Sequence, residues 1–546
     1  MRIKYRNPII RGFNPDPSIC RRGDDYYLAT SSFEYFPGVP IYHSKNLIEW
    51  ELIGHCLTRQ NQVVLEKAKP SYGVWAPTLR YHDGLFYMTT HIFGVGSFYV
   101  TSECPESSWS DPLFVDQSGI DPDLFWDDDG SAWFTSGRGI VSQIDLATGA
   151  LIGPPKELRK GYNSSTGEGV HLYKINGYYY VVMAEGGTGH GHMVTVARSK
   201  SLAGPYDACP FNPILTQRSC MDGDLHATGH ADIIEAHDGS WWMVFLATRE
   251  KKGMFPRVES IGRETCIVPI SWTEDGWPMV SENSRVTRTQ HAVAVAGSVF
   301  KAGAYSEAEE AYVIPDAPLQ EHLSFAQDGV PNVFKRNNKD YANIPLPSPY
   351  WQFLRNPDLR NYHVTPNAIS IDCTKETLTD ISSPSFFARR QLEDHFTFTA
   401  KLIPRFSERG DEGGLALYQN PSHHYAFFLS EDSAGRFGVG LRKTIGDMVT
   451  TFFAPIDTCF HGVEKGYHLS IEATPDVYHF YLQIPEQERM LVGTGQARYL
   501  SIEVATGFTG LFMGIYAAAK TAASSGSLDV LEVTSAFREC ESTKIE

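Results

Sequence analysis

The sequence predicts an all-β protein, a five-bladed β-propeller followed by a C-terminal antiparallel β-sandwich. Three observations support this fold class. A short motif occurs five times in the first 300 residues, helical periodicity is nearly absent there, and alternating strand patterns resume after residue 348. With 42% hydrophobic and 12% aromatic residues, a chain of 546 residues can fill the cores of more than one domain.

Each of the five repeats begins with a marker residue and a short apolar run. A tight turn carrying Asp-Asp, Asp-Gly or Asn-Gly follows, and then an aromatic and β-branched run. Such turns between two such runs predict hairpins, because both central residues need φ > 0. Spacing of roughly 45–60 residues favours radial blades over a single sandwich. The repeats open at Asp16, Ala76, Asp121, Glu168-Gly169 and His230.

The segments between the repeats contain further candidate strands. Five blades of about 60 residues each would account for roughly 300 residues. The stretch before residue 348 is acidic, then Pro-rich, and lacks clear periodicity. Seven or more short alternating segments then predict the sandwich. We therefore expect a propeller over 1–310, a connector over 311–347 and a sandwich over 348–546.

Composition argues against several classes of protein. A formal net charge of −17 and a pI near 5.6 disfavour nucleic acid and anionic membranes as partners. No run approaches 18 apolar residues, and the N-terminus lacks an apolar signal core. The chain as written is therefore expected to be cytoplasmic, or secreted if it is a processed mature form. Nine cysteines without a CxxC pair predict neither a zinc site nor a disulfide framework.

Carboxylates at equivalent places in three repeats indicate an enzyme. Because the innermost strand of each blade lines the central channel, Asp16, Asp121 and Glu168 should face one another. Asp before Pro also forms ordinary turns, which would explain any one of them alone. Two acids across a pocket suit hydrolysis of a glycosidic bond, one donating a proton while the other activates water. A third carboxylate would raise the pKa of the acid by like-charge repulsion.

Several motifs in order now support a specific likeness: NPDPS, GVWAPTLRY, SGIDPDLFWDDDG, TGEGVHLY, TGHADIIEA and SIGRETCI. Together they resemble glycoside hydrolase family 43, in particular the β-xylosidase and α-L-arabinofuranosidase members with an appended C-terminal sandwich. The likeness covers the whole chain. It implies a five-bladed propeller, cleavage with inversion, and a sandwich of the jelly-roll or concanavalin-like kind.

The resemblance also implies roles for the three acids. Asp16 of NPDPS matches the general base, Glu168 of GEGVHLY the general acid, and Asp121 of IDPDLF the carboxylate that orients the acid and tunes its pKa. Asp123 competes within the same motif, but Asp121 heads its repeat as Asp16 does. Inversion predicts a base-to-acid separation of roughly 6.5–9.5 Å, with room for a water.

Around the acids, the resemblance places Phe33 and Trp75 against the sugar, where an aromatic face suits the C–H face of a pentose. Packing in a blade core is the alternative for Trp75. Arg263 of GRET should donate hydrogen bonds to sugar hydroxyls through its fixed fork. Its alternative is a salt bridge to Glu264 or Glu259.

Two further residues carry expectations from the resemblance. Phe508, within residues 505–516, would reach over the propeller and narrow the pocket to admit a chain end, or it would be an ordinary core residue of the sandwich. His230 would lie beneath the site, where some members hold a hydrated calcium, or it would be purely structural. No cofactor is required, and calcium through His230 remains an option because one His does not make a calcium site.

The main hypothesis is an exo-acting inverting glycosidase that removes terminal β-D-xylosyl or α-L-arabinofuranosyl units from xylan- or arabinoxylan-derived oligosaccharides. A dedicated α-L-arabinofuranosidase acting on arabinoxylan or arabinan side chains is the first alternative. The slim Gly137-Arg138-Gly139 segment favours it, unless Arg138 pairs with a neighbouring acid. A carbohydrate-binding propeller without turnover is the second. The expected partner is a hemicellulose-derived oligosaccharide, and a homo-oligomer is left open.

Overall fold

The structure is a computed structural model that describes residues 2–158, 167–220, 222–251, 257–293, 311–313, 320–324, 346–365, 367–456 and 465–539. Within these ranges the regular structure is almost entirely β, which confirms the all-β prediction. Five sheets of four or five strands form the propeller, and two eight-stranded sheets form the sandwich. No helix in the described part of the chain is long and apolar enough to cross a bilayer.

The first half of the propeller follows strand β1 (Arg2–Arg6). Blade one contains four strands and one short excursion, β4, that leaves the sheet. In chain order its strands are β2 (Ser18–Arg22), β3 (Asp25–Ala29), β4 (Tyr35–Phe36), β5 (Gly38–Ser44) and β6 (Glu51–Leu57). Blade two consists of β7 (Thr78–His82), β8 (Leu85–Ile92), β9 (Gly96–Ser102) and β10 (Leu113–Val115). Blade three consists of β11 (Asp123–Trp126), β12 (Ala132–Ser136), β13 (Ile140–Ile144) and β14 (Leu151–Glu157).

The remaining two blades have the same antiparallel order, with one additional short strand in blade four. Blade four consists of β15 (Glu168–Ile175), β16 (Tyr178–Glu185), β17 (Met193–Ser199), β18 (Asp207–Ala208) and β19 (Leu215–Thr216). Blade five consists of β20 (His226–Glu235), β21 (Trp241–Thr248), β22 (Glu264–Trp272) and β23 (Pro278–Met279). The segment before blade one hydrogen-bonds to β22, where the side-chain amide of Asn7 donates to the carbonyl of Ile267 at 2.8 Å. This contact joins the first blade to the last.

Two of the predicted Asp-Gly and Asn-Gly hairpin turns have the expected backbone, whereas at Asp129-Gly130 and Asp238-Gly239 only the glycine is left-handed. Asp83 and Gly84 have φ of 48° and 87°, and Asn176 and Gly177 have φ of 49° and 75°. Both central residues are left-handed in each turn, as two-residue hairpins require. Local sequence therefore determines where β7 turns into β8 and where β15 turns into β16.

The repeat openings share a second backbone feature. Asp16 and Asp121, each two residues before an innermost strand, have φ of 55° and 54°, and Gly169 and His230, within β15 and β20, have φ of 59° and 46°. A left-handed residue bends the chain sharply, and for residues other than Gly it is strained. Four separate blades therefore bend the chain where their repeat opens, either just before the innermost strand or within its first half.

The region after blade five begins with two strands that flank β1, antiparallel β24 (Thr289–Val293) and parallel β25 (Ala311–Val313). Strand β26 (Gln320–Ser324) adds to the sandwich. Most of the predicted connector lies outside the described residues, and the predicted domain bounds stay predictions.

The sandwich contains fourteen further strands and three short helical turns among the described residues. Its first part comprises β27 (Trp351–Leu354), β28 (Tyr362–Val364), β29 (Ile369–Asp372), β30 (Ser385–Arg390), β31 (His395–Arg405), β32 (Glu412–Asn420) and β33 (His423–Glu431). Its second part comprises β34 (Phe437–Ile445), β35 (Met448–Pro455), β36 (Tyr467–Ala473), β37 (Val477–Gln483), β38 (Met490–Gln496), β39 (Phe512–Ala518) and β40 (Ser527–Arg538). The turns are the 3₁₀ segments Leu359–Asn361 and Ala497–Leu500 and one α-turn, α1 (Ile502–Ala505).

Strand β4 of the propeller forms the edge of one sandwich sheet, pairing with β27. Next to it, the backbone N–H of Arg355 donates to the carbonyl of Glu34 at 2.7 Å. The rings of Tyr35 and Phe512 stack with centroids 3.6 Å apart. These contacts fix the sandwich against the open end of the propeller, so the loop before β39 lies over the channel.

Candidate active site

A pocket of about 350 Å³ opens at the end of the channel where the left-handed residues Asp16, Asp121 and His230 lie. All eight predicted site residues line it, drawn from all five blades and the sandwich. The lining residues are Asp16, Phe33, Trp75, Ala76, Ile120, Asp121, Glu168, Gly187, Thr188, His230, Arg263 and Phe508. Its volume lies in the ordinary range for small-ligand sites.

Asp16 is buried at the floor of the pocket and is held on both carboxylate oxygens. Ser31 Oγ donates to Oδ2 at 2.5 Å, and Arg263 Nη1 donates to Oδ1 at 3.0 Å. His230 Nδ1 lies 3.6 Å from Oδ1. Burial alone would raise the pKa of Asp16, but Arg263, His230 and the Ser31 hydrogen bond together hold it below its usual range. Asp16 is therefore an ionised carboxylate at neutral pH.

Glu168, the first residue of β15, has the opposite electrostatic environment. Burial, followed by the negative charge of Asp16, raises its pKa to about 7, and Arg263 opposes that shift only in part. The carboxyl group therefore keeps a proton through the mildly acidic range. A carboxylate and a proton-bearing carboxyl thus face the same pocket, as acid–base hydrolysis requires.

Asp121 completes the acid set. Its Oδ2 accepts a hydrogen bond from the backbone N–H of Gly169 at 3.2 Å, next to Glu168. Burial, then the charges of Glu168 and Asp16, raises the pKa of Asp121 well above its usual value. The negative charge of an ionised Glu168 therefore disfavours ionisation of Asp121. Asp121 thus keeps its own proton to a higher pH than an ordinary aspartate.

Asp123, the competing carboxylate, faces away from the pocket into the channel beneath. Arg80 Nη2 donates to it at 2.9 Å, and Arg80 Nη1 donates to Asp232 at 2.7 Å. His171 Nδ1 also lies 3.1 Å from Asp123. The preference for Asp121 over Asp123 therefore agrees with the geometry, and a buried arginine occupies the centre of the channel.

His230 lies directly under Glu168 and Asp121, and burial lowers its pKa to about 4, so it is neutral. A Cβ on Gly169 would come within 2.9 Å of its Nε2. One ligand atom each from Asp121, Glu168 and His230 lie within 4.8 Å of one another. Calcium prefers six to eight oxygen ligands, and Arg80 already balances charge in the channel below. These residues fit a directly ligated calcium poorly, and the hydrated calcium expected at His230 stays a prediction.

Two aromatic residues form one wall of the pocket. Phe33, with φ of 49°, is fixed by backbone hydrogen bonds in both directions with Val74, at 2.9 and 3.0 Å. The guanidinium carbon of Arg263 lies 5.5 Å from the centre of its ring. Trp75 is half-buried, and its indole N–H donates to the carbonyl of Ser71 at 3.2 Å. Trp75 thus borders the pocket as well as packing in the blade.

Phe508 forms a lip contributed by the sandwich. Its side chain is 44% exposed, which is inconsistent with the alternative of a buried core residue. Its N–H donates to Ser71 Oγ at 2.7 Å, and its carbonyl accepts from Arg263 Nη2 at 3.3 Å. Arg263 does not use the alternative partner Glu264, which instead pairs with Arg249 at 2.5 Å.

Sequence reasoning missed several supporting residues. Thr188 Oγ1 accepts from Arg263 Nη1 at 3.0 Å, so the arginine is held between Asp16 and a loop of blade four. The glycine-rich stretch GGTGHG around Thr188 was the available signal, because glycines allow close approach to a ligand. Ser31 and Ser71 gave no comparable signal. Arg138, in contrast, is exposed and is not among the residues that line the pocket.

Comparisons with known proteins agree with this architecture. The family model described as "Glycosyl hydrolases family 43" matches residues 5–278, and that of the "Beta xylosidase C-terminal Concanavalin A-like domain" matches residues 339–532. The first match covers the propeller with every predicted propeller site residue, and the second covers the sandwich with Phe508.

Similar proteins match over nearly their full length. The chain is 38% identical to the "Non-reducing end alpha-L-arabinofuranosidase BoGH43B" of Bacteroides ovatus, over 96% of this chain and 93% of that protein. It is 30% identical to a "Beta-xylosidase" of Bacillus subtilis, over 94% and 96%, respectively. A solved structure described as "Bacteroides ovatus Xyloglucan PUL GH43B" superposes with a TM-score of 0.85 at 35% identity, covering 98% of this chain and 100% of the other.

Proposed function

We propose that the three acids of this chain, which belongs to glycosyl hydrolases family 43, divide an inverting hydrolysis between them. Asp16 is the base that activates water, and Glu168 is the acid that protonates the leaving oxygen. Asp121 helps to keep that proton in place. The observation that carries this assignment is a pair of opposite pKa shifts in one pocket. The pKa of Asp16 is lowered, and the pKa of Glu168 is raised.

In the proposed reaction, water on one face of the sugar attacks the anomeric carbon while Asp16 takes its proton. The bond between that carbon and the glycosidic oxygen breaks, and Glu168 gives its proton to the departing oxygen. One water is consumed, and the two acids return to their starting states by exchange with solvent. Arg263 keeps Asp16 ionised until the water arrives. No step uses calcium or an organic cofactor.

We further propose that the pocket takes one terminal pentosyl unit, with α-L-arabinofuranosyl preferred to β-D-xylosyl. The Phe508 lip and the Trp75 wall limit the depth available to the chain, which supports exo action. The named arabinofuranosidase, at 38% identity over almost both chains, supports the order of preference. The named β-xylosidases, which match over a similar span, support xylosyl as the second substrate.

Substrate preference is tested with 4-nitrophenyl α-L-arabinofuranoside and 4-nitrophenyl β-D-xyloside at equal concentration. We expect kcat/KM to be larger for the arabinofuranoside, and arabinan or arabinoxylan oligosaccharides to lose single terminal arabinose units. Xylobiose cleaved faster than either arabinosyl oligosaccharide would reverse the proposed order. Release from neither aryl glycoside by folded protein would contradict turnover itself and favour a binding propeller.

The pH profile of kcat/KM on a natural oligosaccharide should fall on its alkaline side near pH 7. Glu168 must be protonated, and its raised pKa of about 7 means that the protonated form is lost as pH rises through that value. The acid limb should lie below the usual range of Asp, because Asp16 must be ionised and its pKa is lowered. Activity that already declines above pH 5 would contradict the Glu168 assignment.

Replacing the lip residue, Phe508→Ala, should raise KM for oligosaccharides about 5- to 10-fold with a smaller change in kcat, because an aromatic contact of about 1 kcal/mol is lost. The matched control is Phe452→Ala, since Phe452 is also an exposed phenylalanine of the sandwich but lies outside the pocket. Equal effects of the two variants would show that Phe508 does not bind sugar.

A further inference from the structure

A second group of side chains that could ligate a metal lies beside the pocket, beginning two residues after Thr188 of its lining. This rim cluster comprises His190, in the turn between β16 and β17, His226, the first residue of β20, and Glu250, which follows β21. One ligand atom from each lies within 4.8 Å of the others. His190 Nε2 is 3.2 Å from Glu250 Oε1, and His226 Nε2 is 3.9 Å from Glu250 Oε2.

Glu250 is the unusual member of the rim cluster. Its side chain is 4% exposed, and its Oε2 is buried without a hydrogen bond to any described residue. Leaving a buried carboxylate oxygen unpaired is costly, because the group gave up its water without gaining a partner. The orphaned oxygen faces the imidazole nitrogen of His226. A bound cation at this position would satisfy it.

The protonation state of His226 follows from its neighbours. Arg257 Nη1 lies 3.2 Å from His226 Nε2, and because a guanidinium only donates, Nε2 must carry the lone pair. A neutral imidazole is the form that ligates metals, and in the metal-free protein Arg257 occupies its lone pair.

We propose that the rim cluster is a binding site for a divalent transition metal of the Zn²⁺ class. His190 and His226 supply nitrogen ligands, Glu250 supplies an oxygen, and water completes a tetrahedral set. Two imidazoles and one carboxylate are typical ligands of Zn²⁺ and Co²⁺, whereas Ca²⁺ and Mg²⁺ prefer oxygen alone. Arg257 supplies the positive charge in the metal-free state and moves aside when the metal binds. His190 is 66% exposed, so its ring is free to adjust to the metal.

The location connects this site to the substrate pocket. Thr188, two residues before His190, accepts the hydrogen bond from Arg263. A metal that joins His190 to blade five would fix the turn that carries Thr188. The site is separate from the proposed catalytic acids, and its occupancy can be measured without any glycosidase assay, so failure of either proposal is distinguishable from failure of the other.

The test is titration of the metal-free full chain with Co²⁺, followed by visible ligand-field absorption and calorimetry. We expect the wild-type protein to bind Co²⁺ at one site with the intense bands of tetrahedral cobalt. Binding should be about 10- to 100-fold weaker in His190→Ala and in Glu250→Gln. Zn²⁺ should compete with Co²⁺ for the site. Arg257→Ser should bind more tightly, because the competing cation is gone. His363→Ala is the matched control. His363 is also exposed and lies 2.9 Å from the carboxylate of Asp372, but among the described residues it belongs to no group of three possible metal ligands.

Melting curves of each variant would establish that it is folded. His190→Ala is the decisive variant, because an exposed side chain can be truncated with little effect on stability. The proposal is overturned if the wild-type protein gives no tetrahedral cobalt spectrum. It is also overturned if His190→Ala binds Co²⁺ as tightly as the wild type and the His363→Ala control do.

Discussion

Replacing Asp16 with alanine should lower kcat by about 10³- to 10⁴-fold on aryl glycosides and natural oligosaccharides alike. Both substrate classes need an activated water, and in the proposed mechanism Asp16 alone accepts its proton. The loss should be independent of the leaving group, since the base acts on the attacking water and not on the bond that breaks. The measurement is kcat for 4-nitrophenyl α-L-arabinofuranoside and for an arabinan oligosaccharide under saturating conditions.

Ser31→Ala is the graded companion to Asp16→Ala. It removes the hydrogen bond to Asp16 Oδ2 and leaves the carboxylate in place. We expect a loss of about tenfold or less and an acid limb that moves to higher pH, because the bond helps to lower the pKa of Asp16. An Asp16→Ala enzyme that keeps turnover on the aryl substrate, while folded by its melting curve, would exclude Asp16 as the base.

The features that local sequence encodes were predicted well. The Asp-Gly and Asn-Gly pairs specify the hairpins because their backbones tolerate left-handed φ. The repeat openings then had to converge, since every blade presents its innermost strand to one channel. Asp16 and Asp121 illustrate this, because they share both the motif position and the left-handed backbone although different blades carry them.

The features that the sequence did not reveal depend on contacts between distant segments. Arg263 meets Asp16 across 247 positions, so the ion pair that keeps the base ionised has no local signal. Arg80 likewise reaches Asp123 and Asp232 on two other blades. Burial, which is the largest influence on the pKa of Glu168, is a property of the assembled pocket. Sequence thus pointed to the three carboxyl groups, and the fold sets the environment that raises or lowers the pKa of each.

The contact between the domains is a further example. Strand β4 contains two residues of the propeller, yet it pairs with β27 of the sandwich. No pattern in Tyr35–Phe36 distinguishes such an edge strand from an ordinary loop, because a two-residue strand has no period. The consequence for function is direct, since this pairing holds the sandwich where Phe508 reaches the pocket.

Replacing Glu168 with alanine should have an effect that depends strongly on the leaving group. Natural oligosaccharides leave as poorly stabilised alkoxides and need the proton, so kcat should fall about 10³-fold or more. A 4-nitrophenolate leaves without protonation, so kcat on the aryl glycoside should fall about tenfold or less. The alkaline limb near pH 7 should also disappear from the aryl profile, because the group that produces it is gone.

Asp121→Asn is the matched control for Glu168→Ala. It removes the carboxyl whose pKa is raised by burial and by the charges of Glu168 and Asp16, but it keeps Glu168, so the leaving-group dependence should stay close to that of the wild type. Equal losses on aryl and natural substrates in Glu168→Ala would assign Glu168 to positioning, not proton donation. A leaving-group dependence found instead in Asp121→Asn would exchange the two roles, because the acid is whichever carboxyl the leaving oxygen requires.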